Sequence, residues 1–249
     1  MPTLELMLLL FAVAVAAGCL DTLAGGGGLL VLPALILAGV PPLEALGTNK
    51  MQGAMGTATA ATMMLRHGKV NWPPMRPMMT WAFVGSGLGS IAVQFVDADL
   101  LRYLIPVVLV LIAGYFLLSG RILAVAQPAR MDPARFRRSV IPGIGLYDGM
   151  IGPGTGSFFS LAIVTLQGKP LLDATAQAKC LNFATNLASL LVFLSAGKLV
   201  WQIGLLMMVG QAIGAWVGSH LLFRSNPQLL RLLIVATCLG MLLRYFLGS

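Results

Sequence analysis

Long apolar runs alternate with short polar punctuation along the whole chain. Stretches without a formal charge cover 6–20, 22–43, 77–96, 103–120, 149–168, 180–197 and 199–223. A helix needs about 20 apolar residues to cross the hydrocarbon core of a bilayer, and most of these stretches approach or reach that length. The pattern predicts helical segments near 4–21, 27–40, 44–65, 75–95 and 101–120, then 138–148, 154–167, 172–195, 201–222 and 228–247. In each group the first two segments are short or interrupted. A glycine-rich stretch lies at their junction, "AGGGGLLVLP" at 24–33 and "IGPGTGSFFS" at 151–160.

The grouping reflects an internal repeat. "GKVNW" at 68–72 returns as "GKLVW" at 197–201, and at the same offset of 129 residues Lys50 meets Lys179, Gly85 meets Gly214, Gly89 meets Gly218 and Ser90 meets Ser219. Just upstream the offset is 127, pairing Asp21 with Asp148, Gly25 with Gly152 and Gly27 with Gly154. The chain thus divides into a first transmembrane repeat at 1–120, a basic linker at 121–138 and a second repeat at 139–249. If each interrupted pair is a hairpin, the repeats are inverted; if it is one broken span, they are parallel. Segments this short suit half-crossings, so inversion is expected. The expected fold is an all-α polytopic membrane protein with two homologous repeats of four to five helical segments. Broken or re-entrant helices are expected at the glycine-rich stretches.

Composition agrees: 58% of residues are hydrophobic, 10% are charged and the mean hydropathy is +0.89, whereas soluble domains carry about a quarter charged residues. The net charge of +8 does not point to nucleic acid, because the bases sit in short loops. Arg66, His67, Lys69 and Arg76 form one group, and Arg121, Arg130, Arg135, Arg137 and Arg138 another. Cytoplasmic loops of membrane proteins carry this excess, which assigns 66–76 and 121–138 to the cytoplasm and the acidic 96–101 to the opposite side. The first segment lacks the basic n-region of a signal peptide and contains Glu5, so it is expected to be retained. Cys19, Cys180 and Cys238 have no metal-ligand spacing, and neither a metal nor a cofactor is expected.

Glycines inside an apolar segment expose backbone that lipid cannot satisfy, and such backbone is tolerated where it is buried in protein or lines a watery cavity. A helix that starts there directs its first N–H groups and positive dipole end at the cavity, favouring an anion. Gly25, Gly26, Gly27 and Gly28 fit this in one half; Gly152, Gly154 and Gly156 fit it in the other, with Thr155 and Ser157 as hydroxyl donors. Interrupted segments at matching positions of two halves point to a transporter's binding site. Lys50 and Lys179, candidates to attract an anion directly, lie within the polar runs "GTNKMQG" and "QAKCLNFATN", where Asn49, Gln52, Asn182 and Asn186 add amides for a substrate or for interhelical bonding. Asp21 and Asp148 carry charge inside the apolar region, which is a functional-site hypothesis by default. They serve either as coupling proton carriers or as partners of the lysines. Gly85-x-x-x-Gly89 and Gly214-x-x-x-Gly218 read as packing faces, within the subunit or between two subunits of a homodimer.

The Asp-x3-Gly-x-Gly stretch, the "LGTNK" and "AQAKCLNFATN" runs and Gly-Lys-[Val/Leu]-x-Trp after each third segment resemble the TauE/SafE family of sulfite exporters, grouped with 4-toluene sulfonate uptake permeases. The similarity runs from about Leu4 to Leu247 and includes the duplication. It implies a secondary transporter that moves a small sulfur-containing anion, such as sulfite, a sulfonate or thiosulfate, across a bacterial inner membrane. No enzymatic activity is expected. "GPGTGS" lacks the Gly-Lys-Ser/Thr ending of a P-loop, so ATP hydrolysis is not expected to drive it. Two other classes compete. One is a channel or cation carrier using the aspartates. The other is an intramembrane hydrolase using Ser157, for which a base must lie within hydrogen-bond reach; His67 and His220 fall near segment ends.

Overall fold

The computed structural model describes residues 3–97, 99–101, 103–105, 107, 108, 111 and 128–224. The predicted segment at 228–247, most of that at 101–120, and Arg121 and Cys238 lie outside them. The described residues are helical, without strands. The first half holds α1 (Leu4–Ala24), α2 (Gly27–Leu37), α3 (Pro42–Arg66) and α4 (Trp72–Val93). In the second half a turn at Pro133–Arg135 and a π-helical stretch at Phe136–Val140 lead into α5 (Ile141–Met150). There follow α6 (Thr155–Gln167), α7 (Leu171–Ser195) and α8 (Trp201–Arg224). Among the described residues three helices are long and apolar enough to cross a membrane, beginning at Leu4, Leu171 and Trp201.

Local chemistry sets the ends. Thr3 caps α1 by accepting the Leu6 N–H at 3.3 Å, and Asp132 caps the turn before α5 by accepting the Arg135 N–H at 2.9 Å. Proline stands in the first turn of α3 and α4, where its missing N–H leaves no intrahelical bond unmade. The second segments are short as predicted, with 11 residues in α2 and 13 in α6. The first segments are not: α1 has 21 residues, and helical backbone runs without a break from Pro133 to Met150. A pattern read from charges stops α1 at Asp21 and begins the later helix at Arg138. In the fold Asp21 is paired and so stays inside its helix, while the arginine-rich 135–138 winds into a helical turn.

The helices of the two halves interlock. α1 lies against α8, and α4 against α5. A Cβ added at Gly210, Gly214 or Gly218 would meet the carbonyls of Phe11, Val15 and Cys19 within 3.0 Å, so α1 and α8 run parallel along a glycine seam. Gly85 and Gly89 of α4 meet Pro142 and Leu146 of α5 in the same way. The two Gly-x-x-x-Gly faces therefore pack within this chain. At the centre α3 and α7 run antiparallel: Glu44 Oε1 lies 3.3 Å from Lys198 Nζ, and Gly53 faces Asn186. Met51 and Gln211 facing Gly204 and Gly56 make α3 parallel to α8. Ser86 and Ser90 bonding to Thr185 and Ser189 make α4 parallel to α7. Helices α1, α3 and α8 thus point one way and α4, α5 and α7 the other. Within each of the pairs α1 and α5, α3 and α7, and α4 and α8, the two helices point in opposite directions.

Two apolar clusters flank the middle. One gathers Leu32 and Leu35 of α2 with Leu10, Leu46, Phe193 and Met207. The other gathers Phe159 and Ile163 of α6 with Met64, Met75, Phe136 and Leu181. The seams predict a contrast between two glycines of one helix. Gly89→Ala drives a Cβ into the Leu146 carbonyl and is expected to cost about 1–3 kcal/mol. Gly87→Ala meets nothing within 4 Å and is expected to be neutral or to stabilise by up to about 1 kcal/mol. Thermal unfolding of the two purified variants checks this.

Candidate functional site

The two helix breaks are held by lysines sent across from the other half. Lys50 of α3 reaches the end of α5, where Nζ lies 2.9 Å from Asp148 Oδ2 and donates to the Asp148 carbonyl. Lys179 of α7 reaches the end of α1, where Nζ lies 3.4 Å from Asp21 Oδ2 and donates to the Asp21 carbonyl. Both lysines are buried. A cation at a helix C-terminus complements the dipole and the carbonyls of the last turn. Asp21 also joins its two helices: its carbonyl accepts the Gly25 N–H at 2.6 Å and its Oδ1 accepts the Gly27 N–H at 3.2 Å.

Glycine is required here by close approach. Gly25 ends α1 with φ 78° and abuts Gly156 and the Ser157 amide, so the breaks of the two halves touch. Ser157 seals the contact by donating its hydroxyl to the Ala24 carbonyl. A Cβ on Gly27 would meet the Asp21 side chain at 2.8 Å, and one on Gly152 (φ 97°) would meet Lys50 Nζ at 2.7 Å. The second break is further tied by Tyr147 Oη donating to the Pro153 carbonyl at 2.6 Å and Thr155 Oγ1 to Gly152 O at 2.6 Å.

A small cavity lies where the breaks meet α3, α7 and α8. The first break contributes Asp21, Gly25 and Gly28, and the second Asp148, Gly152 and Gly154. Asn49, Lys50, Gln52, Gly53 and Thr57 come from α3, Asn182 and Asn186 from α7, and Gln211 from α8. Gly26, Gly27, Thr155, Gly156, Ser157 and Lys179, the other candidates from the sequence, are not among the residues that line it. Gly53, Thr57 and Gln211 were not singled out. Gly53 and Thr57 follow Asn49 at i+4 and i+8, a face that helical spacing carries. Gln211 is an isolated amide in an apolar span, and only its burial at 2% exposure marks it.

Hydrogen bonding fixes which atoms the amides offer. Asn49 Oδ1 accepts from Gln52 Nε2 at 3.0 Å; Asn182 Oδ1 accepts from Asn186 Nδ2 at 3.3 Å and from Thr185 Oγ1 at 3.4 Å. Both oxygens are thereby turned back to their own helices. The Nδ2 groups of Asn49 and Asn182 have no acceptor among the described residues; the first sits beside Gly28 and the second beside Gly156. With each lysine paired to an aspartate, the donors left at the cavity are amide N–H groups and helix starts. Other polar side chains are committed elsewhere. Thr48 Oγ1 accepts the Val200 N–H at 3.0 Å, and Gln177 Oε1 accepts from Lys169 Nζ at 3.0 Å. Burial lowers the pKa of that loop lysine, and the nearby Asp173 opposes the shift.

The remaining candidates lie apart from the cavity. His67 caps α3, exposed, with its ring stacked on Phe223 at 4.2 Å. His220 is exposed and its Nδ1 lies 2.9 Å from the Trp216 carbonyl. Neither histidine contacts Ser157. No group of three or more potential metal ligands occurs among the described residues. Trp72 and Trp201 begin α4 and α8 and are exposed, as residues at a membrane interface would be.

Residues 10–245 match the family model described as sulfite exporter TauE/SafE. A probable membrane transporter protein, ORF9, of Sinorhizobium sp. is 41% identical over 240 residues, which cover 96% of this chain and 92% of that protein. A probable membrane transporter protein of Haemophilus influenzae is 39% identical, covering 93% of this chain and 91% of its own length. The probable membrane transporter protein YfcA of Escherichia coli is 42% identical, with 91% and 84% covered. No solved structure matches the chain.

The lysine ties predict a stability hierarchy. Removing one partner of a buried ion pair costs about 3–5 kcal/mol, because the other charge is left uncompensated. Lys50→Met is expected to lie in that range, and Lys50→Met combined with Asp148→Leu to recover part of the loss. Lys179→Met is expected to cost less, since the Asp21 side chain is 11% exposed and keeps its bond to Gly27. A double-mutant cycle on unfolding midpoints in detergent measures each pair.

Proposed function

The chain belongs to the sulfite exporter TauE/SafE family, and from that premise we propose that this membrane transporter moves a small sulfur-containing anion, such as sulfite, a sulfonate or thiosulfate, through the cavity between its two helix breaks. The observation that carries the proposal is the pair of amide donors, Asn49 Nδ2 and Asn182 Nδ2. They come from opposite halves, and each is aimed by bonds that occupy its oxygen. Gly28, at the start of α2, adds a backbone N–H beside Asn49. Such a site grips oxyanion oxygens with neutral donors, and the anion need not displace a lysine from its aspartate. Gly26, Gly27, Thr155, Gly156 and Ser157 shape the helix starts.

The opposed directions of corresponding helices support an inverted repeat. Transporters of that design place substrate where discontinuous helices of the two halves meet and alternate access by moving one unit against the other. Val70 and Met75 share a cluster with Phe136. This supports placing 66–76 and 121–138 on one side, the cytoplasmic side by their basic charge. The reading is a secondary transporter of the inner membrane, driven by an ion gradient or by the substrate's own. Asp21 and Asp148 act in it chiefly as lysine partners, which also argues against a bare carboxylate site for a cation.

In proteoliposomes, flux is expected to follow the sulfur anion and to persist when the counter-cation is exchanged. Asn182→Leu and Asn49→Leu are each expected to weaken anion affinity roughly tenfold or more, the range for a hydrogen bond to a charged group. Flux that tracks the cation, or that neither variant alters, overturns the proposal.

A further inference from the structure

Two acceptors on the cavity wall face no donor. Gln52 and Gln211 are 1% and 2% exposed, both line the cavity, and the Oε1 of each has no hydrogen-bond partner among the described residues. Asp148 Oδ2 is also without a hydrogen bond, but it faces Lys50 Nζ at 2.9 Å and is answered by that charge. Buried carbonyl oxygens are rarely left unpaired, because the desolvation penalty is then uncompensated.

The orientation of Gln52 is fixed by its neighbours. Its Nε2 donates to Asn49 O at 3.2 Å and to Asn49 Oδ1 at 3.0 Å. Turning the amide over would set its oxygen against two acceptors and lose both bonds. The oxygen is therefore the atom left for the cavity. Gln211 crosses from α8 into the space that Gly56 leaves on α3, where an added Cβ would lie 3.0 Å from its Nε2, and with no bond to a described residue its amide is free to turn either its oxygen or its N–H to a ligand. Gly56 is one turn from Gln52, so both side chains border the same stretch of α3.

The cavity thus presents donors (Asn49 Nδ2, Asn182 Nδ2) and, close by, an oriented acceptor, Gln52 Oε1, and the turnable amide of Gln211, neither satisfied by a described residue. A bare oxyanion leaves Gln52 Oε1 unanswered. We infer that Gln52 and Gln211 are specificity-determining residues, and that the site selects sulfonates and related sulfur oxyanions that carry their own N–H or O–H donor over those that carry none. The inference rests on the anion-transport reading and narrows its substrate class. A site built to hydrogen-bond a ligand hydroxyl or amine rejects the analogue lacking it, because its own polar groups are then left unpaired.

The test uses the purified full-length chain and three sulfonates of equal chain length: 1-propanesulfonate, 2-hydroxyethanesulfonate and 2-aminoethanesulfonate. They end in a methyl, a hydroxyl and an ammonium group, so the last two distinguish the kind of donor. Calorimetric binding is expected to favour at least one donor-bearing ligand over 1-propanesulfonate by about tenfold or more. Gln211→Leu, which breaks no hydrogen bond among the described residues, and Gln52→Met are each expected to shrink that ratio to about threefold or less. Equal affinities for all three in the unaltered protein overturn the inference and leave the anion reading standing. No binding of these sulfonates or of sulfite overturns both. A ratio unchanged in whichever variant folds overturns the assignment to that residue, and the comparison in the unaltered protein decides the matter if neither folds.

Discussion

A polypeptide interrupted inside a membrane must find partners for the carbonyls and amides that its helices no longer pair, and the architecture of this protein follows from how it does so. Each interruption ends in a buried aspartate whose carbonyl and carboxylate are taken by a lysine from the opposite half. Neither charge is tolerable alone in such surroundings, so lysine and break have to be brought together by the packing of α3 and α7. That requirement sets α3 against the second break and α7 against the first. The point where the breaks touch, Gly25 against Gly156, is the centre of the arrangement.

Much of this is legible in the sequence. The apolar runs place eight described helices within a few residues of their ends. The recurrence of aspartate, glycine and lysine in order marks the parts that meet. Where the reading fell short, the cause was physical. α1 outruns its predicted end because a carboxylate ceases to be a helix boundary once it is paired, and the partner lies 158 residues away. The basic run at 135–138 reads as linker by charge and folds as helix, because exposed arginines interrupt no packing there.

The cavity was only partly legible for a related reason. Sequence spacing assigns residues to helix faces, but which face meets the cavity depends on helices from both halves. Asn49, Gln52, Asn182 and Asn186 stand out as amides in a polar run. Gln211 stands in an apolar one, and its importance lies in what α3 leaves open at Gly56. Conversely, Lys179 and Ser157 look like ligand groups in one dimension and are the mortar of the wall in three. The amides also show that residue type alone does not say what is offered. Asparagine presents its N–H here because its oxygen is engaged, whereas glutamine one turn away presents its oxygen because its N–H is engaged.

The glycine seams have a consequence for how the chain is assembled. Of the described helices α1 leaves the ribosome first and α8, beginning at Trp201, last, yet these two pack backbone to backbone. α1 therefore spends most of synthesis without its neighbour, its narrow glycine-matched side covered by lipid or by a provisional contact. Its high apolarity makes that wait tolerable. α5 has no such wait, since α4 is already in place when it emerges. The two seams, equivalent in the finished molecule, close at opposite ends of its biosynthesis, and it is the later closure that commits the halves to each other.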